Sequence, residues 1–249
     1  MARTATRRLP SVPSYEPATN VAVEYRVAGG VEDVTAVMPD GRLLVGRSVR
    51  LDPASEYDAD GLFAALDDDR VWASGYAANR PRPQSAGAWR QGMEAAARED
   101  RMMYIVRLIE PGDGRAGRIV GTTSLGEADL HNEKVHLGWT AYSPDVWGTA
   151  VNPECKLLVL GHAFEHCGFG RVKIQTDSIN ARSQAAIAKL GAVREGVVRR
   201  DIKRADGSWR DSVMFSVIVD DWPRVKAGLE ARLAERAGAA IPSQGQNQQ

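Results

Sequence analysis

The sequence predicts an α/β domain in which helices flank a largely antiparallel sheet. Residues 135–191 alternate between extended and helical patterns in the order strand, turn, helix, strand, helix. Strand patterns at 102–110 and 118–125 surround one short turn, and those at 197–204 and 208–219 surround another. Because short turns join antiparallel neighbours, we expect two hairpins within the sheet.

Composition divides the chain into a main domain and flanking segments. Residues 1–20 are rich in Pro, Ser, Thr and Arg, and residues 236–249 are mostly small or polar, so both are expected to be disordered tails. Short strand patterns with Gly and Pro turns predict an additional β segment at 21–42. The main domain is expected to span 43–235 and to open with a strand at 43–51.

Three further helices are predicted outside the central segment. Apolar residues at helical spacing mark 56–66 and 85–98, which are separated by a loop containing Trp72 and Tyr76. A last helical pattern at 221–233 closes the domain. Helices in these places are expected to flank the sheet.

The turn after the first central strand predicts an anion site. Asn152 is typical of an N-cap, Pro153 suits the first helical position and Glu154 follows in the first turn, so a helix is expected from Pro153. Small residues before it allow backbone N–H groups to converge on an anion at the helix N-terminus. The expected cradle, which would fit a pyrophosphate, consists of Gly148, Thr149, Ala150, Val151 and Asn152. An ordinary tight turn is the alternative.

Four short motifs in and after this segment match one known superfamily. They are Trp147-Gly148-Thr149-Ala150 ahead of Glu154, Asn180-Ala181-Arg182-Ser183, Lys189-Leu190-Gly191-Ala192 and Glu195-Gly196. The chain thereby resembles the GNAT superfamily of acyl-CoA N-acyltransferases, in its RimJ/RimL-like branch. The likeness extends from about residue 43 to about residue 233 and is most specific over 135–218. Asp145 departs from the family pattern, which has Gln or Arg at this place.

The resemblance implies the GNAT fold and a site for acetyl-CoA. The fold is a mixed, mostly antiparallel twisted sheet flanked by helices, in which the strand at 135–142 splays from the strand at 172–177. In the family the pantetheine arm lies in that gap, and unpaired backbone N–H groups can hold the thioester carbonyl. Besides the cradle, the resemblance assigns to the cofactor Trp139, Thr140, Ala141, Tyr142, Trp147, Asn180 and Ser183. Because Asp145 is unusual, a CoA-binding sensor without turnover stays open.

The implied chemistry is direct attack of a neutral amine on the thioester. Ser183 lies where RimL-like members place a hydroxyl that can protonate the departing thiolate, whereas Ile187 occupies the position of a tyrosine in many GNAT enzymes. His136 replaces the usual glutamate, and a histidine that is mostly neutral at pH 7 is a suitable general base. The alternatives are helix capping for Asn180 and Ser183, and a structural role for His136. Other candidate bases, acting through water, are Glu127, Asp129 and Glu133.

The acceptor is expected to be a primary amine. In the family the first helices help to form the acceptor pocket, which places Trp72, Tyr76 and Trp89 near it; core packing is the alternative for each. A protein α-amino group has a pKa of about 7.8, against about 10.4 for lysine, so presenting a neutral lysine costs about 3.5 kcal/mol more. This favours a protein N-terminus, with a small amine as the other candidate. Acetyl-CoA is the expected donor and succinyl-CoA the alternative.

Several classes of protein and site are not expected. Basic and acidic residues number 32 each, so the chain lacks the positive excess of proteins that bind nucleic acid directly. No segment approaches the roughly 18 consecutive apolar residues of a membrane span. Cys155 and Cys167 lie too far apart on one predicted helix to form a disulfide, which suits a cytoplasmic protein. The spacing of His162, Glu165 and His166 matches a zinc motif, but a catalytic zinc needs a third protein ligand, and no metal is expected. Oligomeric state stays open, a homodimer included.

Overall fold

The computed structural model defines the main domain. The residues it describes are 36–73, 76–77, 79–109 and 116–236. The predicted tail at 1–20, residues 21–35 of the predicted β segment and residues 237–249 of the second predicted tail lie outside these ranges.

Within the described residues, a sheet of eight strands forms the centre of the domain. In chain order the strands are β1 (Leu44–Val45), β2 (Val49–Pro53), β3 (Met102–Ile109), β4 (Ala116–Asp129), β5 (Lys134–Tyr142), β6 (Arg171–Asp177), β7 (Val193–Lys203) and β8 (Trp209–Ile218). Their order across the sheet is β1-β2-β3-β4-β5-β6-β8-β7, and all neighbours are antiparallel except β5 and β6. The predicted mixed, mostly antiparallel sheet is confirmed.

Helices in the described part of the chain flank this sheet. They are α1 (Ala59–Leu66), α2 (Asp69–Ala73), α3 (Ala86–Arg98), α4 (Val151–Gly161), α5 (Ala181–Leu190) and α6 (Trp222–Glu235). A 3-10 turn at Glu56–Asp58 precedes α1, and a π-helical turn at His162–His166 extends α4. The predicted helices at 56–66, 85–98 and 221–233 are confirmed, whereas α2 lies in what the sequence predicts to be a loop.

The sheet is the middle of three layers. Successive side chains of a strand point to opposite faces, so Met103 and Ile105 of β3 pack with α1 and α3. Tyr104 and Val106, between and beyond them, pack with α4 and α6 on the other face. All four side chains are buried. Both faces of the sheet are therefore covered near its centre.

A turn interrupts the predicted strand at 43–51, which forms the short hairpin of β1 and β2 instead. The buried carboxylate of Glu154 in α4 accepts hydrogen bonds from the backbone N–H groups of Arg47 at 2.6 Å, Ser48 at 2.9 Å and Val49 at 3.2 Å. A Cβ at Gly46 would lie 2.6 Å from Glu154 Oε1, so only glycine allows this approach. Glu154 therefore binds this turn, a role that the prediction from the helix dipole does not contain.

Residues 36–42, the described part of the predicted β segment, form no strand. Ala36 is buried in the core, and the Val37 N–H donates to the Cys167 carbonyl at 2.9 Å. This segment hydrogen-bonds to the chain after α4, and nearly all of the strand pattern that predicts the β segment lies outside the described residues. Cys155 and Cys167 are both buried free thiols, as predicted.

Candidate active site

The parallel pair β5 and β6 opens along its length. The two strands pair only over Lys134–His136 and Arg171–Lys173, and beyond this their ladder ends. The gap leads into a cavity of about 410 Å3 that is lined by both strands, the loop after β5, α4 and α5. The splay that the family resemblance implies is present, and it forms the candidate site.

A β-bulge distorts β5 at this cavity. The register of β4 and β5 shifts between Thr122 and Ser124, so that Trp139 and Thr140 both lie opposite Thr123. Trp139 has a φ of +49°, a conformation that costs a non-glycine residue roughly 1–2 kcal/mol. A bulge leaves backbone polar groups outside the ladder. The residues predicted to hold the thioester all line the cavity, namely Trp139, Thr140, Ala141 and Tyr142.

The loop between β5 and α4 leaves room for close approach of a ligand. Gly148 has a φ of +78°, and a Cβ at this position would meet no atom of the described residues within 4 Å. The carbonyl groups of Gly148 and Thr149 accept hydrogen bonds from the Arg236 guanidinium, both at 2.6 Å. The loop lies at the N-terminus of α4, where the helix dipole favours an anion. Arg236, placed by the sequence in a disordered tail, thus holds this loop.

The start of α4 corrects one prediction. The helix begins at Val151 with Ala150 as its N-cap, so Asn152 and Pro153 are its second and third residues. Pro153 is tolerated because the N–H groups of a first helical turn have no partner within the helix. Asn152 is therefore not the cap, and its side chain lines the cavity together with Gly148. Three other residues predicted for the cradle do not line it, namely Thr149, Ala150 and Val151.

Trp147 connects the loop to α5. Its indole N–H donates to the Tyr142 carbonyl at 2.9 Å, and the Arg182 guanidinium carbon lies 3.5 Å from the centre of its ring. Trp147 and Arg182 both line the cavity. The stack therefore joins two walls of the site through a cation–π contact.

For Asn180 and Ser183 the sequence leaves open two roles, helix capping and contact with the ligand. Asn180 Oδ1 accepts a hydrogen bond from the Ser183 backbone N–H at 2.9 Å, so the capping role of Asn180 is confirmed. Among the hydrogen bonds of the described residues, none involves the Ser183 hydroxyl. Both residues line the cavity, as does Ile187. The Ser183 hydroxyl can therefore hydrogen-bond a ligand, while Asn180 holds the start of the helix.

His136 and Glu127 are titratable groups that line the cavity. His136 Nδ1 lies 3.2 Å from Glu127 Oε1, and among the described residues neither ring nitrogen has a hydrogen-bond partner. Burial lowers the pKa of His136 below 6.5, so the imidazole is neutral at pH 7. Contacts with His136 and with Lys173 lower the pKa of Glu127 to about 2. The neutral imidazole is therefore the better base of the two.

Of the other predicted bases and the aromatic residues predicted for the acceptor pocket, only Tyr76 lines the cavity. Asp129 and Glu133 do not line it. Tyr76 lines the cavity, and burial raises the pKa of its hydroxyl to about 12. Trp72 stands behind Tyr76 in edge-on contact at 5.4 Å, and Trp89 is buried behind Trp72. Core packing thus accounts for Trp89, while Tyr76 faces the site.

Lys156 is a cavity residue that the sequence prediction missed. It lies one helical turn after Asn152, so the two side chains share the face of α4 that lines the cavity. Its ammonium donates to the Thr140 hydroxyl at 3.0 Å, and that hydroxyl lies 2.8 Å from the hydroxyl of Thr123. Burial lowers the pKa of Lys156 to about 8. The spacing from Asn152 is the signal in the sequence, but a lysine in a helix usually marks its solvent-facing side.

Comparison with known proteins identifies the family. The family model for the acetyltransferase (GNAT) domain matches residues 48–193, more than half of the chain. The chain belongs to the GNAT acetyltransferase family. The GNAT fold and the N-acetyltransferase class predicted from the sequence are thereby confirmed.

Individual relatives of this GNAT protein agree with the assignment. "Putative ribosomal N-acetyltransferase YdaF" of Bacillus subtilis is 30% identical over 115 residues, which are 46% of this chain and 61% of that relative. The chain thus spans less than two thirds of the length of this curated relative. A "putative acetyltransferase" from T. thermophilus is 35% identical, with a TM-score of 0.67 over 77% of this chain and 96% of that one. Mycobacterium smegmatis RimJ in complex with CoA-disulfide shares the fold, with a TM-score of 0.66, 19% identity and coverage of 80% and 97%.

Asp145, the departure from the GNAT pattern, has a local partner. Its carboxylate forms an ion pair with Arg118 and accepts a hydrogen bond from the Ser143 hydroxyl. Asp145 does not line the cavity. The unusual carboxylate is therefore used to fix the strand end before the loop, and it does not obstruct the site.

Two residues of the zinc-like motif, His162 and Glu165, make contacts within the protein. The His162 ring lies against Cys167 Sγ at 3.6 Å, and Glu165 accepts hydrogen bonds from the Trp222 indole at 2.7 Å and from Lys226 at 2.8 Å. Over the described ranges, no group of three or more His, Cys, Asp or Glu side chains could hold a metal ion. A search of the same residues finds no helix that is both long and apolar enough to cross a membrane.

Proposed function

We propose that this enzyme transfers an acetyl group from acetyl-CoA to a primary amine by direct attack, with the α-amino group of a protein N-terminus as the first acceptor to test. One observation carries the proposal: a single cavity joins the gap between β5 and β6, the bulge at Trp139 and the N-terminus of α4. A thioester joined through a long pantetheine arm to a pyrophosphate matches, in turn, the bulge, the gap and the N-terminus of α4.

The residues present fit such a donor. The Cα of Gly148 borders open space beside the start of α4, which suits a pyrophosphate, and Asn152 adds a polar side chain there. The bulge at Trp139 and Thr140 supplies backbone N–H groups for the thioester carbonyl. One donor of this kind contributes about 3 kcal/mol to catalysis in other enzymes.

The groups at the acceptor end favour an amine that is readily deprotonated. The amine that attacks must arrive as the free base, because neutral His136 can accept only the one proton that the amine loses as the amide forms. Since a lysine needs about 3.5 kcal/mol more than an α-amino group to become neutral, a site with one neutral base favours the α-amino group. The ribosomal N-acetyltransferase name of the Bacillus subtilis relative supports a protein acceptor.

Ser183 is the hydroxyl assigned to the leaving group. It lines the cavity on the α5 wall, and its capping contact uses only the backbone N–H. A hydroxyl at this place can hydrogen-bond the sulfur as negative charge develops there.

Product analysis with matched acceptors tests the proposal. Purified protein is mixed with acetyl-CoA or succinyl-CoA and with a peptide bearing a free N-terminus, the same peptide blocked at the N-terminus but containing lysine, or a polyamine. The expected result is CoA release with the free N-terminus and acetyl-CoA, and mass spectrometry should place one acetyl group on the α-nitrogen. Faster succinyl transfer would replace the donor. CoA binding without amine-dependent release for any acceptor would support a sensor and overturn the proposal.

A further inference from the structure

We propose that Lys156 donates a proton to the sulfur of the leaving CoA thiolate, as a further catalytic residue of the acetyl transfer proposed above, on which this inference rests. The sequence motifs assign this role to Ser183 alone. The structure adds a cationic side chain on another wall of the cavity, on α4.

The position of Lys156 is set by the bulge. Its ammonium donates to the Thr140 hydroxyl at 3.0 Å, and Thr140 is one of the two residues that form the bulge in β5. The backbone of Trp139 and Thr140 is the part of the site proposed to hold the thioester carbonyl. A group anchored on Thr140 is therefore placed beside the bond that must break.

Lys156 lacks an anionic partner among the described residues. The carboxylates that line the cavity are already engaged, Glu127 by Lys173 at 2.5 Å and Asp177 by Arg204 at 2.8 Å. A partly buried ammonium without a carboxylate is costly, which is why its pKa falls to about 8. A thiolate is an anion that would compensate this charge during the reaction.

Lys156 also differs from the other cations of the cavity in being able to release its proton. Among the described residues, the other cationic side chains lining it are Arg182, Arg210 and Arg232. A guanidinium keeps its proton at any pH at which the protein is folded, so these three can only act as fixed charges. Besides the two carboxylates, the remaining titratable groups that the described residues place at the cavity are His136, which is neutral at pH 7, and the hydroxyls of Tyr76 and Tyr142, whose pKa values are raised by burial.

The proton affinities of donor and acceptor match. A thiol has a pKa of about 8.5, so a lysine with a pKa near 8 can pass its proton to a thiolate with little change in free energy. Lys156 is mostly protonated at pH 7, as an acid must be. The Ser183 hydroxyl can hydrogen-bond the sulfur, but it has no proton to give unless another group replaces it.

The proposed step balances as follows. The amine nitrogen forms a bond to the thioester carbon, the C–S bond breaks, and its electron pair stays on sulfur. Lys156 Nζ gives one proton to that sulfur and becomes neutral, while His136 takes the proton that the amine loses. Lys156 then regains a proton from water and His136 releases one, so the net products are an amide and CoA thiol.

Titration of bound CoA tests the placement without requiring turnover. The ultraviolet absorbance of the CoA thiolate is followed against pH in complexes with wild type, Lys156→Met, Lys156→Arg and the control Lys134→Met, which removes an exposed lysine at the start of β5. A nearby cation lowers a thiol pKa by about one pH unit or more. The thiol should therefore titrate lower in wild type, Lys156→Arg and Lys134→Met than in Lys156→Met. Identical titration in all four complexes would overturn the proposal.

Kinetics separates proton donation from a fixed charge. Lys156→Met and Lys156→Arg should each lower kcat about 100-fold with less than a threefold change in KM for acetyl-CoA, and both should lose the fall in kcat above about pH 8.

Selective loss of succinyl transfer would overturn the proposal and make Lys156 a receptor for an acyl carboxylate. If Lys156→Met does not fold, Lys156→Arg gives the same answer, since it keeps the charge but not the transferable proton. Failure of wild type to bind CoA would reject the proposed function itself, whereas CoA binding with full activity in both variants would reject only the role of Lys156.

Discussion

Replacing Glu154 with alanine is expected to destabilise the domain strongly, although Glu154 does not line the cavity. Its buried carboxylate is the acceptor for three consecutive backbone N–H groups of the turn between β1 and β2, at distances of 2.6, 2.9 and 3.2 Å. Hydrogen bonds to a charged acceptor contribute about 1.5–3 kcal/mol each. The Val49 N–H is buried and would be left without a partner, whereas water can reach those of Arg47 and Ser48.

The expected loss follows from these unequal donors. Two hydrogen bonds that water partly replaces and one orphaned buried donor together amount to about 3–5 kcal/mol. In a protein of this size, each kcal/mol lowers Tm by about 2–4 °C, so Glu154→Ala should melt about 6–20 °C below wild type. Thermal unfolding followed by circular dichroism at pH 7 measures this difference. Glu94→Ala, which removes an exposed helical glutamate, is the matched control and should change Tm by no more than about 2 °C.

Gly46 provides an independent check on the same contact. Because a Cβ at Gly46 would lie 2.6 Å from Glu154 Oε1, Gly46→Ala should cost about 1–3 kcal/mol in the wild-type background. In the Glu154→Ala background the obstructing carboxylate is gone, and the same substitution should cost little. The two changes should therefore be strongly non-additive. A Tm of Glu154→Ala within about 2 °C of wild type, or simple additivity, would refute the reasoning.

Three predictions concern the site. Gly148→Ala should weaken CoA binding, measured by calorimetry, while lowering stability by only about 1 kcal/mol, because the new Cβ meets no atom of the described part of the chain although φ is +78°; unchanged affinity would remove the loop from the site. His136→Gln should abolish the acidic limb of kcat/KM, which is expected below pH 6.5 because burial lowers the histidine pKa; an unaltered profile with full activity would transfer the role to Glu127. Ser183→Ala should lower kcat with little change in acetyl-CoA affinity, whereas a fall in Tm without loss of kcat would mean that the hydroxyl is structural.

Short sequence patterns predict those features that depend on contacts between residues close together in the chain. Asn180 is a residue type that caps helices, and its side chain accepts a hydrogen bond from the backbone N–H of Ser183, three residues later. The sequence also predicts the helix containing Asn152 and Pro153, but the structure starts it two residues earlier, at Val151. Proline is accepted anywhere in the first helical turn, so Pro153 does not determine which of those positions it occupies.

The features missed from the sequence depend on contacts between distant segments. Glu154 binds a turn 107 residues away, and Arg236 binds the loop carbonyls 88 and 87 residues away. The bulge at Trp139 exists only relative to the register of β4, which no pattern within β5 records. Lys156 was missed for the same reason, since whether a helical lysine faces solvent or a cavity depends on the sheet beneath it.

The location of the site follows from the one parallel pair among the described strands. Antiparallel neighbours can be joined by a short turn, but β6 runs parallel to β5, so the chain must cross over the sheet between them. The crossover contains α4, and its N-terminus therefore lies at the carboxyl end of β5. That is also the end at which the β5–β6 ladder is lost. A single topological requirement thus brings together the gap, the bulged strand and the positive end of a helix, which explains why Gly148, Thr140 and Lys156 meet in one cavity.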